Sequence, residues 1–155
     1  MPLIKREAEG HFQYPYLSVS YGQHYSGYIF SWDNHHMTLR CAVGGEPEQM
    51  RYFVDNMLSF QTSNGYIPCV ISAVEGCNGS ISDFHAQPFL AQNAVIYSTL
   101  TSDTAWMKKV FPKLKSYLSY WLAKHAAPFG IAVYLYVCWH RLGGDANYQP
   151  PTPWS

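Results

Sequence analysis

Charge is scarce in this chain. Asp, Glu, Lys and Arg make up 13% of its 155 residues, and ten basic side chains balance ten acidic ones. No basic patch is available for a phosphate backbone, which argues against nucleic acid as a partner. The one dense cluster, KKVFPKLK from Lys108 to Lys115, reads as the wet side of a helix. Long apolar runs are lacking too. The longest, Gly130 to Trp139, falls well short of the ~20 residues that span a bilayer, and the N-terminal MPLIKREAEG has no apolar core of a signal peptide. These features predict a soluble protein that does not engage membranes; they leave the compartment open, with the cytoplasm slightly favoured.

Metal chemistry is equally thin. The four cysteines, Cys41, Cys69, Cys77 and Cys138, show no CxxC spacing. Cys69 and Cys77 are close enough in sequence to pair across a loop, but free thiols are the expectation. His35 and His36 are adjacent, and neighbours on a helix point about 100° apart, so they do not share one ion easily. The i,i+4 zinc spacing is missing. Neither a metal nor a cofactor is expected, and there is no GxSxG for a nucleophilic serine.

Aromatic residues, by contrast, make up 17% of the chain. A chain with few charges must expose some of them or cover them with something else. Their flat faces also suit carbohydrate, stacking on sugar rings while their polar tips form hydrogen bonds. The segment from Tyr28 to Leu39, YIFSWDNHHMTL, concentrates Trp32, Asp33, His35 and His36 within five residues.

Residues 1–30 read as an aromatic loop segment without helical period, and residues 31–125 as two helical hairpins. Asp33 is a suitable N-cap for the first helix, which runs to Gly44-Gly45. In the next, Met50, Phe53, Val54, Met57 and Leu58 follow the i, i+3, i+4, i+7, i+8 spacing of an amphipathic helix. TSNGYIP breaks it, and residues 69–86 read as a long loop. The second hairpin comprises QPFLAQNAVIYSTLTS and DTAWMKKVFPKLKSYLSYWLAKH, with Met107, Val110, Leu114, Leu118 and Trp121 on the apolar side. Pro112 predicts a kink or the true start of that helix. GGEPEQMRYFVDNMLS aligns without a gap on TSDTAWMKKVFPKLKS, a sign of a repeated αα-hairpin. Residues 126–155 read as an irregular tail.

Three fragments sit where helices begin or end: YIFSWDNHHM, QTSNGYIP with Gln61 and Tyr66, and DFHAQPFLAQN with His85 and Gln87. Packed hairpins would gather them at one rim. Each also has a plain reading, as a helix cap, a helix opening or core aromatics. Taken in order, however, YPYLSVSYGQHYSGYIFSWDNHHM, NGYIP and HAQPFLAQ resemble the (α/α)6-barrel glycoside hydrolases of the trehalase clan. The likeness is closest to family 63 and its mannosylglycerate-hydrolase-like members, and covers roughly residues 12 to 125. It implies an all-α fold: stacked helical hairpins forming part of an (α/α)6 toroid, with long aromatic loops at one rim. It also implies inverting hydrolysis of an α-linked sugar, with Trp32 and Asp33 in the cleaving subsite and Gln87 on sugar hydroxyls. His36, Gln61 and Tyr66 would line the same rim. Cys69-Val70 stand where trehalases carry Asn-Gly and arginine, which speaks against trehalose.

Inverting glycosidases use two carboxyl groups, one protonating the leaving oxygen and one activating water. The resemblance makes Asp145, in GIAVYLYVCWHRLGGDANYQP, the candidate general acid, although Ala146 puts the motif out of register. The base is expected from a hairpin beyond Ser155, so the chain reads as the N-terminal part of a catalytic domain. Hairpin faces left without neighbours would be available for self-association. The alternative is a non-catalytic sugar-binding or helical-hairpin interaction module. On the fragment reading, the purified chain turns over no aryl glycoside or disaccharide. Measurable turnover that Asp145→Asn abolishes would overturn it.

Overall fold

The computed structural model describes residues 4–20, 25–74 and 85–125. The chain divides into two units, Met1–Lys124 and His125–Ser155, and the architecture below is that of the first. The irregular tail and Asp145 lie outside the described residues.

Four helices form where the apolar period predicts two hairpins: α1 (Ser31–Val43), α2 (Glu48–Ser59), α3 (Phe89–Thr101) and α4 (Thr104–His125). The all-α expectation nevertheless fails. Two small antiparallel sheets are present: β1 (Ile4–Arg6) pairs with β2 (Tyr16–Ser18), and β3 (Tyr28–Phe30) with β4 (Val70–Ser72). The described fold is mixed α/β, not a stack of helical hairpins. Both the aromatic N-terminal segment and the loop after Cys69 contain strands: the β-branched and aromatic residues of β3 and β4 suit a pleated, half-buried surface, and the part-exposed β1 pairs with the buried β2.

Each helical hairpin has its own turn chemistry. Gly44 and Gly45 close α1, with Gly45 at φ +86° where a side chain would be strained, and Pro47 occupies the N-cap of α2. α3 ends at Ser102 in the left-handed region, whose N–H donates to the Ser98 carbonyl at 2.8 Å. Asp103 then caps α4, its Oδ1 accepting from the Trp106 N–H at 3.0 Å. α4 runs through Pro112 without interruption; the ring costs the Lys108 carbonyl its intrahelical partner but does not end the helix.

The α2 stripe is the centre of the core: Met50, Phe53, Val54, Met57 and Leu58 are all buried. Around it pack Ile29 of β3, Ile71 of β4, Leu90 and Tyr97 of α3, and Val110 and Leu114 of α4. The buried side of α4 is turned slightly from the expected one. Trp106 and Tyr117 are inside, whereas Met107 and Leu118 are only partly covered.

Polar side chains bind the sheets to the helices. Asn34 is 1% exposed; its Nδ2 donates to the Leu17 carbonyl in β2 at 2.8 Å, and its Oδ1 accepts the Phe30 N–H at 3.0 Å. One side chain thus links β2, the end of β3 and α1. In α2, Asn56 does the same for the N-terminal segment: its Oδ1 accepts from the Tyr14 N–H at 3.2 Å and its Nδ2 donates to the Tyr14 carbonyl at 3.1 Å. Removing such an amide leaves two backbone groups unsatisfied, each costing about 1–3 kcal/mol. Asn34→Ala is therefore expected to lower unfolding stability by about 2–4 kcal/mol in urea denaturation, and a loss under about 1 kcal/mol would show that water replaces the amide.

Candidate functional site

The first turn of α1 grows directly out of β3. The Ser31 N–H donates to the Cys69 carbonyl at 2.8 Å, continuing the β3–β4 ladder into the helix. Phe30 is therefore the N-cap, without a side-chain cap bond, and Asp33 lies within the first turn. The sheet supplies the cap that the sequence assigned to Asp33. The Asp33 carboxylate consequently remains exposed, with no hydrogen-bond or ion-pair partner among the described residues.

Around this turn several groups converge. The hydroxyl of Ser31 donates to Oε1 of Gln87, and the Gln87 carbonyl accepts from the Tyr117 hydroxyl of α4. Gln87, 6% exposed, thus joins the starts of α1 and α3 to the middle of α4. Two residues on, Phe89 opens α3 under the aromatic residues of α1. Trp32 meets Phe89 edge-to-face at 5.3 Å and His36, one turn along, at 5.3 Å. His36 also neighbours Asp33 at i,i+3 on the helix surface. Trp32 remains 43% exposed. A half-open indole, an exposed imidazole and a free carboxylate therefore share one patch.

His35 faces inward. Its ring stacks on Phe89 at 4.3 Å and 11°, and its Nδ1 lies 2.5 Å from Oδ1 of Asn93. Asn93 Nδ2 donates to Oγ1 of Thr38 at 2.8 Å, and the Thr38 hydroxyl donates to the His35 carbonyl at 3.0 Å. Read around this ring, the amide oxygen faces His35, so Nδ1 carries the proton. Burial pushes the His35 pKa below its ordinary value, with His36 adding to the shift and the Asn93 bond opposing it.

The remaining predicted residues divide. Tyr66 reaches an aromatic group with Tyr120, 5.6 Å away, which His85 also meets at 5.8 Å. The Pro68–His85 bridge and the bond from the Ala86 N–H to the Ile67 carbonyl hold NGYIP against HAQPF. The structure thus brings these two fragments together, and Gln87 ties them to Ser31. Gln61 instead serves the loop: its Nε2 donates to the Lys113 carbonyl at 2.9 Å. The glycine of NGYIP is also structural. Gly65 has φ +92°, and a Cβ there would lie 2.4 Å from the Ser116 carbonyl oxygen.

Among the described residues no cluster of three or more His, Cys, Asp or Glu side chains could hold a metal ion. Cys41 and Cys69 are buried thiols, and burial, with Glu46 next, raises the pKa of Cys41. Sequence reasoning missed Ser31, Phe89 and Asn93. Each is an ordinary helix residue whose role depends on a partner more than fifty positions away.

No family model matches the chain, and no curated protein matches it.

The His35 arrangement sets a pH dependence. Its depressed folded-state pKa means that the unfolded chain binds the proton more readily. The contribution is complete above the unfolded value near 6.5 and is lost as pH falls through the folded pKa, with a slope of at most about 1.4 kcal/mol per pH unit. Wild type should lose stability in urea titrations on acidification below that value. His35→Gln, which does not titrate, should lose less; parallel curves for the two proteins would refute the assignment.

Proposed function

We propose that this chain is a carbohydrate-active protein that engages an α-linked sugar at the Trp32 patch, in keeping with its resemblance to inverting glycoside hydrolases. The observation that carries the reading is the part-exposed Trp32 indole beside the Asp33 carboxylate, which is exposed and has no partner among the described residues. An indole offers an apolar plane for the C–H face of a sugar ring, and a free carboxylate can accept two hydroxyl protons at once. His36 adds a polar edge, and Phe89 and His36 fix the angle of the indole. Preorganisation of this kind lowers the entropy lost on binding.

Gln87 has a narrower role here than the resemblance implies. Its Oε1 accepts from Ser31, so it acts on the sugar mainly by positioning the first turn of α1. The aromatic group of Tyr66, His85 and Tyr120 is the natural second contact for a longer saccharide.

A second reading, sugar binding without turnover, is favoured by one observation. The cluster formed by Ser31, Trp32, Asp33, His36, Gln87 and Phe89 contains a single carboxylate, whereas inverting hydrolysis needs two about 6.5–9.5 Å apart. Calorimetry with mono- and disaccharides tests both readings. Wild type is expected to bind an α-linked disaccharide, and Trp32→Ala and Asp33→Ala should each weaken it about 10–100-fold, the loss of one stacking plane or one charged hydrogen-bonding group. No binding by the wild type, or unchanged affinity in both variants, would remove the sugar assignment and leave a protein-interaction module.

A further inference from the structure

The lysine cluster of KKVFPKLK has a role that the carbohydrate reading does not absorb. Helical geometry sorts its members. Lys109 and Lys113, at i,i+4, share one flank of α4, while Lys108 and Lys115 lie on the other. Between the first flank, the C-terminal half of α2 and the Gln13–Tyr14 segment lies an open cleft of about 160 Å³. It is lined by Asp55, Leu58, Ser59, Lys109, Val110 and Lys113, together with that segment. Leu58 and Val110, both buried, contribute a small apolar area at its base, within a lining that is otherwise mostly polar.

The charges around the cleft do not cancel. The Asp55 carboxylate is already engaged, accepting from Trp106 Nε1 at 3.0 and 3.1 Å and lying 3.5 Å from Arg51. The Lys113 ammonium donates to the Leu58 carbonyl at 3.2 Å, answering the negative end of α2. Lys109 has no partner among the described residues. Ser59 spends its proton on the Asn56 carbonyl at 2.6 Å. The cleft therefore presents an uncommitted ammonium, a second cation within one turn and a small apolar base, while its one carboxylate is held by a guanidinium and an indole.

We propose that this cleft binds a small organic anion, a carboxylate or phosphate head carrying a short apolar stem. The head lies between the Lys109 and Lys113 ammonium groups and the stem rests on Leu58 and Val110. A space this size matches a single ring, since a cavity of roughly 150 Å³ accommodates benzene. Lysine suits the head because it is a point charge with rotatable donors, indifferent to the planarity that arginine would select.

The test is an NMR titration of the full-length ¹⁵N-labelled chain with benzoate, phenyl phosphate and uncharged benzamide. Saturable shifts are expected at residues 55–59 and 109–113 with at least one anion, at a Kd tighter than about 1 mM, and the stronger anion identifies the head group. Benzamide should bind at least tenfold more weakly, on the order of one lost charge-assisted contact. Lys109→Gln should weaken the anion about fivefold or more, while Lys108→Gln on the opposite flank leaves it unchanged. Three results would each overturn the proposal: no saturation with either anion, benzamide binding as tightly as benzoate, or equal weakening by both lysine variants. The last would mean a diffuse surface-charge effect. The site is built from residues other than those of the Trp32 patch, so its failure leaves the sugar reading untouched.

Discussion

A buried amide must find its hydrogen bonds inside the protein, and the arrangement of this fold depends on three that do. Asn34, Asn56 and Asn93 sit on α1, α2 and α3, each 1% exposed or less. Each uses both ends of its amide on backbone or side-chain groups of other elements: Asn34 on β2 and the adjoining end of β3, Asn56 on the backbone of Tyr14, and Asn93 on His35 and Thr38 of α1. Apolar packing alone would let these helices slide by a turn at little cost, because methyl contacts are non-directional. Two directed bonds per amide remove that freedom, since any slip would leave buried donors and acceptors unpaired.

The candidate site follows from this locking. Asn34 fixes the point at which β3 becomes α1, and the Asn93–His35–Thr38 ring fixes the distance between α1 and α3. Ser31 and Gln87 add a further bond at the same end. With the inward face of α1 committed to Ser31, Asn34, His35 and Thr38, the residues between them have to point outward. Trp32, Asp33 and His36 are those residues. Their exposure is thus a consequence of the buried network, and their spacing is set by the helix rather than by a loop. A site on a packed helix end is held more firmly than the same side chains on a connecting segment.

How far the sequence reveals this depends on range. The α2 stripe is legible because five apolar residues repeat at helical spacing within nine positions, and burial follows the period. Both helical turns are legible from Gly44-Gly45 and Asp103. The strands are not. Each is three residues long, too short for an alternating pattern to stand out, and β3 finds its partner about forty residues away. The start of α1 is misread for the same reason: a good cap residue, Asp33, lies nearby, but the N-cap is Phe30 and the Ser31 N–H is satisfied by the Cys69 carbonyl just before β4. Family likeness brings Trp32, Gln87 and Tyr66 towards one region, yet it implies an all-α toroid that the two sheets contradict. Ser31, Phe89 and Asn93 carry no local signal at all.

The scarcity of charge and the reliance on amides are two aspects of one solution. Ion pairs among the described residues are Lys5–Glu46, Arg51–Asp55 and Arg51–Asp103, all at least partly exposed. Such pairs contribute little and are screened by salt. The interior is instead tied by Asn, Gln, Ser and Thr, which desolvate at far lower cost than charges. His35 is built into that neutral lattice, and its burial disfavours the charged form. Charge is thereby kept for the surface, where Asp33 and Lys109 each stand without a partner among the described residues. An uncommitted charge on an otherwise neutral, tightly paired scaffold gains nothing for folding. Its most direct physical consequence is the field it offers to something outside the chain.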